Sequence, residues 1–152
     1  MDQPHRRAAV ATVLGLGHAA VSLVWVLGGT WLLDTVGGSI ERWGRDGGLG
    51  VRLALLLVVV AKAGAVGVLW LAVVRPTRPA RVLAWLAGIV LTLYGGVLTL
   101  VGVVYVSTTS LEGAADPYAL RWHAYFWDPW FLLWGLATLA ALNATRVRDL
   151  RP

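Results

Sequence analysis

A helical bundle embedded in a membrane is the fold class this sequence predicts, and three observations predict it. Of 152 residues, 58% are hydrophobic and only 14% charged, with mean hydropathy +0.70. A soluble domain carries about 25% charged residues. Four tracts, 8–33, 53–74, 82–106 and 129–145, are apolar over lengths close to the ~20 residues that cross a hydrocarbon layer. None alternates polar and apolar residues with period two, which excludes the strands of a membrane barrel. The expectation is an all-α integral membrane protein, a four-transmembrane-helix bundle forming one domain over 1–152. A short outer interfacial helix should precede the fourth span.

The first tract holds one titratable residue, His18. It exceeds the apolar region of a signal peptide and ends without a small-residue cleavage pattern, so it reads as a retained helix. The second holds one charge, Lys62, and the third none. The fourth is the shortest, at about 25 Å of helix. Between the second and third lies "RPTRPAR", short enough to make those spans antiparallel neighbours. The outer loops are longer. In "DTVGGSIERWGRDGGLG" the glycines punctuate turns around a short helical stretch at "SIERW".

Arginine distribution orients the bundle. Arg6, Arg7, Arg75, Arg78, Arg81, Arg146, Arg148 and Arg151 share one side of a four-span layout, against Arg42, Arg45, Arg52 and Arg121 on the other. The positive-inside rule puts both termini in the cytoplasm, in the cell membrane. The net charge of +5 is this topology signal, and it implies no nucleic-acid partner. Seven of nine tryptophans fall in the outer half, more than interfacial anchoring needs, which suits an aromatic-lined outer cavity.

In the third span Gly88, Thr92, Gly95, Gly96, Thr99 and Gly102 recur at steps of three and four, and Gly15, Ala19 and Ser22 do so in the first. Small faces let helix backbones approach closely in lipid. They serve packing within the chain or a homo- or hetero-oligomer. Further on, "ADPYALRWHAYFWDPW" contains Asp-Pro twice. Aspartate is a strong N-cap and proline suits the first helical turn. Asp116 and Asp128 therefore each read as a helix start: an amphipathic interfacial helix from Pro117 to about Trp127, then the fourth span.

Lys62 sits about 14 Å into its span, near the membrane midplane, where a charge costs about 3 kcal/mol or more. No acid lies at that depth on any span. A wet outer cavity, a desolvated neutral amine or an anionic ligand would each resolve the imbalance, and so would a snorkelled lysine. His18 lies at a similar depth on a face shared with Gly15, Ser22 and Trp25, and Tyr94 is level with it on the third span. The expected ligand-binding set is His18, Lys62, Tyr94, Asp128 and Trp25. A hydrogen-bonded core histidine is the plainer alternative, since buried polar groups need partners in any case.

Other chemistries lack their residues. There are no cysteines, hence no disulfides and no thiolate metal sites. No zincin motif, P-loop or nucleophile elbow occurs, so no metal and no catalytic set is expected. His18 and His123 differ in depth on this reading, which argues against a bis-histidine haem; no cofactor is expected. Ser22 and His18 are a helical turn apart, and Asp34 is too distant to complete a triad with them.

"HAAVSLVWVLGGTWLLDTVGG", the span-two lysine, "YGGVLTLVG" and "RWHAYFWDPWFLLWG" together resemble domain of unknown function family 3995, a family of small actinobacterial membrane proteins. The resemblance runs from about His18 to Gly135. It implies a four-helix membrane protein and supplies no catalytic residues. Where the family reads His-x-x-Trp, this chain has Trp25 seven residues after His18, on the same helical face.

Three functions follow as expectations. The first is binding, or helping to move, a small anionic or lipid-like ligand in an outer-facing cavity. The second is a structural or accessory subunit acting through helix–helix contacts. The third is a membrane enzyme acting on a lipid or quinone, with His18 or Lys62 as acid or base.

Overall fold

The computed structural model describes residues 2–149, with side chains to residue 145. Of the arginines counted for orientation, Arg146, Arg148 and Arg151 lie outside the residues whose side chains are described. All regular structure in the described residues is helical: α1 (Gln3–Val26), α2 (Gly38–Asp46), α3 (Leu49–Val74), α4 (Arg78–Thr108), α5 (Pro117–Trp122), a π-helical turn (His123–Trp127) and α6 (Asp128–Asp149). Helices α1, α3 and α4 are each long and apolar enough to cross a membrane. Large apolar side chains on α3 and α4 such as Leu57, Val60, Val90, Leu93, Leu100 and Val101 are more than half exposed. An apolar surface of that extent is covered by lipid, not water. The chain is a membrane protein.

Four long helices form a ring in which α1 packs on α3 and α6, and α4 packs on α6 and α3. Near the chain start, Arg7 donates to the Ala140 carbonyl at 3.1 Å; further along α1, the Trp130 indole donates to the Leu14 carbonyl at 3.0 Å. Helices α1 and α6 are therefore antiparallel. Small residues bring α1 and α3 together: Ala8, Ala11, Val66, Leu69 and Val73 are buried in one cluster with Trp134 of α6. The small-residue face of α4 is filled by α6 of the same chain. A Cβ on Gly88 would meet Leu139, and one on Gly95 would collide with the backbone nitrogen of Leu132. A Cβ on Gly135 would in turn stand 2.5 Å from the nitrogen of Thr92.

Two element boundaries depart from the sequence expectation. The first helix ends at Val26, seven residues before the end of the apolar tract 8–33. Gly28 adopts φ +90° and Leu32 φ +59°, and the Trp25 indole donates to the Trp31 carbonyl at 2.8 Å, folding the remaining apolar residues into turns. Apolarity continued past Val26, but helical geometry did not.

The second correction concerns Asp128. It is not an N-cap. Its backbone is helical (φ −74°, ψ −42°), and α5, the π-turn and α6 run without a break. A proline inside an α-helix clashes with the carbonyl four residues earlier. The π-turn removes that conflict by widening the helix just before Pro129, so that the Asp128 N–H reaches the His123 carbonyl five residues back. Asp116 does cap as expected, its carboxylate accepting from the Ala119 N–H at 2.9 Å.

The α4–α6 contact supplies a stability test. Gly135→Val should destabilise the protein by about 3 kcal/mol or more through overpacking. Gly67→Ala, where no atom lies within 4 Å of the added methyl, should be neutral or stabilising by up to about 1 kcal/mol. Thermal unfolding in one detergent measures both; equal effects would contradict the packing described.

Candidate functional site

Helices α1 and α3 meet at mid-length around Lys62. Its Nζ donates to Ser22 Oγ at 2.7 Å and lies 3.0 Å from His18 Nδ1. The same amine stands 5.9 Å from the centroid of the Phe131 ring. His18 and Ser22 are four residues apart on α1, hence on one face. Ser22 donates to the His18 carbonyl at 3.4 Å, which leaves its oxygen lone pairs for the lysine. None of these partners carries a negative charge.

The imidazole of His18 is 4% exposed and sits among three rings, Phe131 at 4.3 Å, Trp130 at 5.2 Å and Trp127 at 5.5 Å between centroids. With Lys62 donating to Nδ1, the ring proton is on Nε2. That Nε2 is buried and has no hydrogen-bond partner among the described residues. Its neighbours are the three aromatic rings that enclose it. An ammonium has three hydrogens. Ser22 and His18 use two, and one remains.

These groups form part of the wall of a cavity of about 200 Å³. His18, Ser22 and Trp25 come from α1, Lys62 and Val58 from α3, Tyr94 from α4, His123 and Trp127 from the π-turn and Phe131 from α6. Four of the five expected site residues thus share one cavity: His18, Lys62, Tyr94 and Trp25. Trp25 is buried and packs edge-on to Trp127. Tyr94 is half exposed at the rim and packs edge-on to Phe131. Asp128, the fifth, stands behind the wall, 4% exposed, with Oδ1 at 3.3 Å from His123 Nδ1.

His123 is the residue that sequence reasoning missed. Counted from an expected helix start at Pro129, it falls at the outer surface, far in depth from His18. Because the helix is continuous through the π-turn, it instead points inward and lines the same cavity. The signal was present in the proline itself, whose preceding clash a π-turn relieves. The second ring nitrogen of His123 donates to the Val36 carbonyl at 3.2 Å, tying the loop between α1 and α2 to the fourth long helix. Both partners are acceptors, which suits an imidazolium donating from both nitrogens. The hydrogen bond to Asp128 raises the His123 pKa; burial opposes the rise, and the charges of Asp128 and Asp116 and the Val36 bond reinforce it.

Among the described residues no group of three or more metal-ligating side chains converges. A family model described as "Protein of unknown function (DUF3995)" matches residues 15–138, a stretch that includes every residue of the cavity wall. No curated protein and no solved structure matches the chain.

A pH test follows from His123. Its folded pKa is raised, so the stabilisation it gives is fully present below the ordinary value of 6.5 and is lost as pH rises through the raised value. Melting temperature of wild type minus that of His123→Gln should be positive at low pH and shrink as pH rises across that window. A difference independent of pH would contradict the imidazolium assignment.

Proposed function

Since the chain belongs to the DUF3995 family, proteins of unknown function, we propose its role from the geometry of the cavity: it binds, and helps to move, a small ligand with an acidic or hydrogen-bond-accepting head in the outer half of the membrane. The observation that carries this reading is the third hydrogen of Lys62, unspent among the described residues, in an aromatic-walled cavity. A buried donor left unmatched costs about 1–3 kcal/mol, and an acceptor would recover it. An anionic acceptor would also balance Lys62, whose partners are all uncharged. Binding fits better than catalysis, because no nucleophile–base pair accompanies the donors. That α6 of the same chain fills the small-residue face of α4 favours this reading over an accessory subunit acting through that face.

In this reading α6 is the fourth span and both termini are cytoplasmic. Helix α6 is about 33 Å long by its residue count, and Asp128, Thr138 and Thr145 are buried against the bundle, away from lipid. Antiparallel packing of α1 on α3, in which Trp70 donates to Thr12 and stands beside His5, brings Arg6 and Arg7 to the end of the bundle where Arg75 and Arg78 lie, which the positive-inside rule assigns to the cytoplasm.

Two measurements test this. The chain has no cysteine, so single cysteines report topology cleanly. Ser110→Cys should react with an impermeant maleimide on intact cells, and Thr77→Cys only after permeabilisation; the reverse pattern would overturn the orientation. Native mass spectrometry from nanodiscs should show a discrete adduct on wild type that falls at least about tenfold in Lys62→Met, as expected when one partner of a buried charged contact is removed. No adduct on wild type, or one unaffected by the substitution, would overturn the binding site.

A further inference from the structure

The polar cavity does not end at Lys62. A second, larger space of about 450 Å³ runs between α2 and the outer end of α3, and shares Ile40, Leu55 and Val58 with the first. Its remaining walls are Trp43, Gly50, Val51 and Ala54. Apart from the Trp43 indole N–H, no side chain there can make a hydrogen bond. Polarity is thus segregated between two adjoining spaces, with donors in one and hydrocarbon surface lining the other.

Size narrows the occupant. Small-molecule sites run from about 300 to 1,000 Å³. The inner cavity, at about 200 Å³, falls below that range and holds a compact head group, not a whole ligand. The groove provides the remaining volume. Its floor is made by the small residues Gly50 and Ala54, and a Cβ on Gly50 would meet nothing within 4 Å. Its roof is α2, whose Ile40 and Trp43 face the groove while none of its residues is buried. Helix α2 rests over α3 with room for a chain beneath it. The rim is open beside lipid, where Val58 is 43% and Tyr94 51% exposed.

We propose that the ligand is a single-chain amphiphile with a carboxylate head: the carboxylate accepts from the third hydrogen of Lys62 Nζ, and the hydrocarbon chain runs outward along α3 beneath α2. This rests on the binding role proposed above and adds the chemical class. A bilayer supplies such molecules from the side, through the gap at Val58 and Tyr94. A head with two chains does not suit the single groove.

The test compares butyrate, octanoate and palmitate on the full chain in nanodiscs of uncharged lipid, with occupancy read by native mass spectrometry. Palmitate should bind at least about tenfold more tightly than butyrate, because each buried methylene adds affinity. Ala54→Trp, which fills the groove, should bring palmitate down to the level of butyrate and leave butyrate unchanged. Comparison of variant and wild type at equal membrane loading removes partitioning into the bilayer from the result. A preference for palmitate that survives Ala54→Trp would overturn the groove assignment. Equal binding of all three acids would overturn it as well, while leaving the head-group site standing. If Ala54→Trp fails to fold, palmitate carrying a mid-chain diazirine decides on wild type. Crosslinks within 40–58 support the groove, and crosslinks on the lipid face of α4 overturn it. Binding of none of the acids would remove this proposal; an adduct of another class lost in Lys62→Met would still uphold the binding role.

Discussion

A basic side chain at the centre of a membrane helix must be given partners, and much of the structure follows from that requirement. Lys62 has no acid among its contacts, so it is held by Ser22, the His18 imidazole and the Phe131 ring. For those contacts α1 and α3 must pack closely, which Gly15 and Ala19 allow. A Cβ on Gly15 would overlap both Trp134 and Val66. His18 must also be sheltered, and α6 shelters it with Trp130 and Phe131. The polar contact, the small residues of α1 and the aromatic face of α6 are therefore one device. Its by-product is a cavity walled by the Lys62 side chain and aromatic rings.

The π-turn before Pro129 completes the enclosure. A helix broken at Asp128 would leave the aromatic stretch 122–127 free to lie flat at the interface. A continuous helix carries Trp127 and His123 inward instead, where Trp127 donates to Thr35 at 3.0 Å and His123 to Val36. Both bonds fasten the loop between α1 and α2 onto the end of the fourth long helix. Asp116 and Ala119 press against Gly37, whose φ of +63° suits a glycine, so the loop between α1 and α2 interlocks with the start of α5. The roof of the cavity is thus built from polar contacts between loops, and its wall from apolar contacts between helices.

Most of the helical architecture was legible in the sequence, because long uncharged runs leave a membrane chain few alternatives. The meeting of His18 and Lys62 was legible too: both are costly at mid-depth and each needs a partner. Two things were not. The end of α1 is hidden because Leu27 to Leu33 are as apolar as the helix before them; only Gly28 and Gly29 hint at the turn, and Leu32 adopts its positive φ without a sequence signal. The inward direction of His123 was hidden because Asp-Pro supports two local structures, a capped start or a π-turn. Which one forms depends on packing against α4 at Gly95, where the Asp128 carbonyl would lie 2.7 Å from an added Cβ. That contact is tertiary and leaves no trace in local pattern.

The account rests most directly on the state of the His18 ring. Nitrogen NMR of protein labelled with ¹⁵N-histidine reads it, and the chain contains only His5, His18 and His123, so His5→Gln and His123→Gln assign the signals. The account expects His18 to carry its proton on Nε2 and to accept at Nδ1, with the Nδ1 resonance moving in Lys62→Met. A proton on Nδ1, or a His18 spectrum indifferent to Lys62→Met, would contradict the contact on which the cavity and its ligand depend.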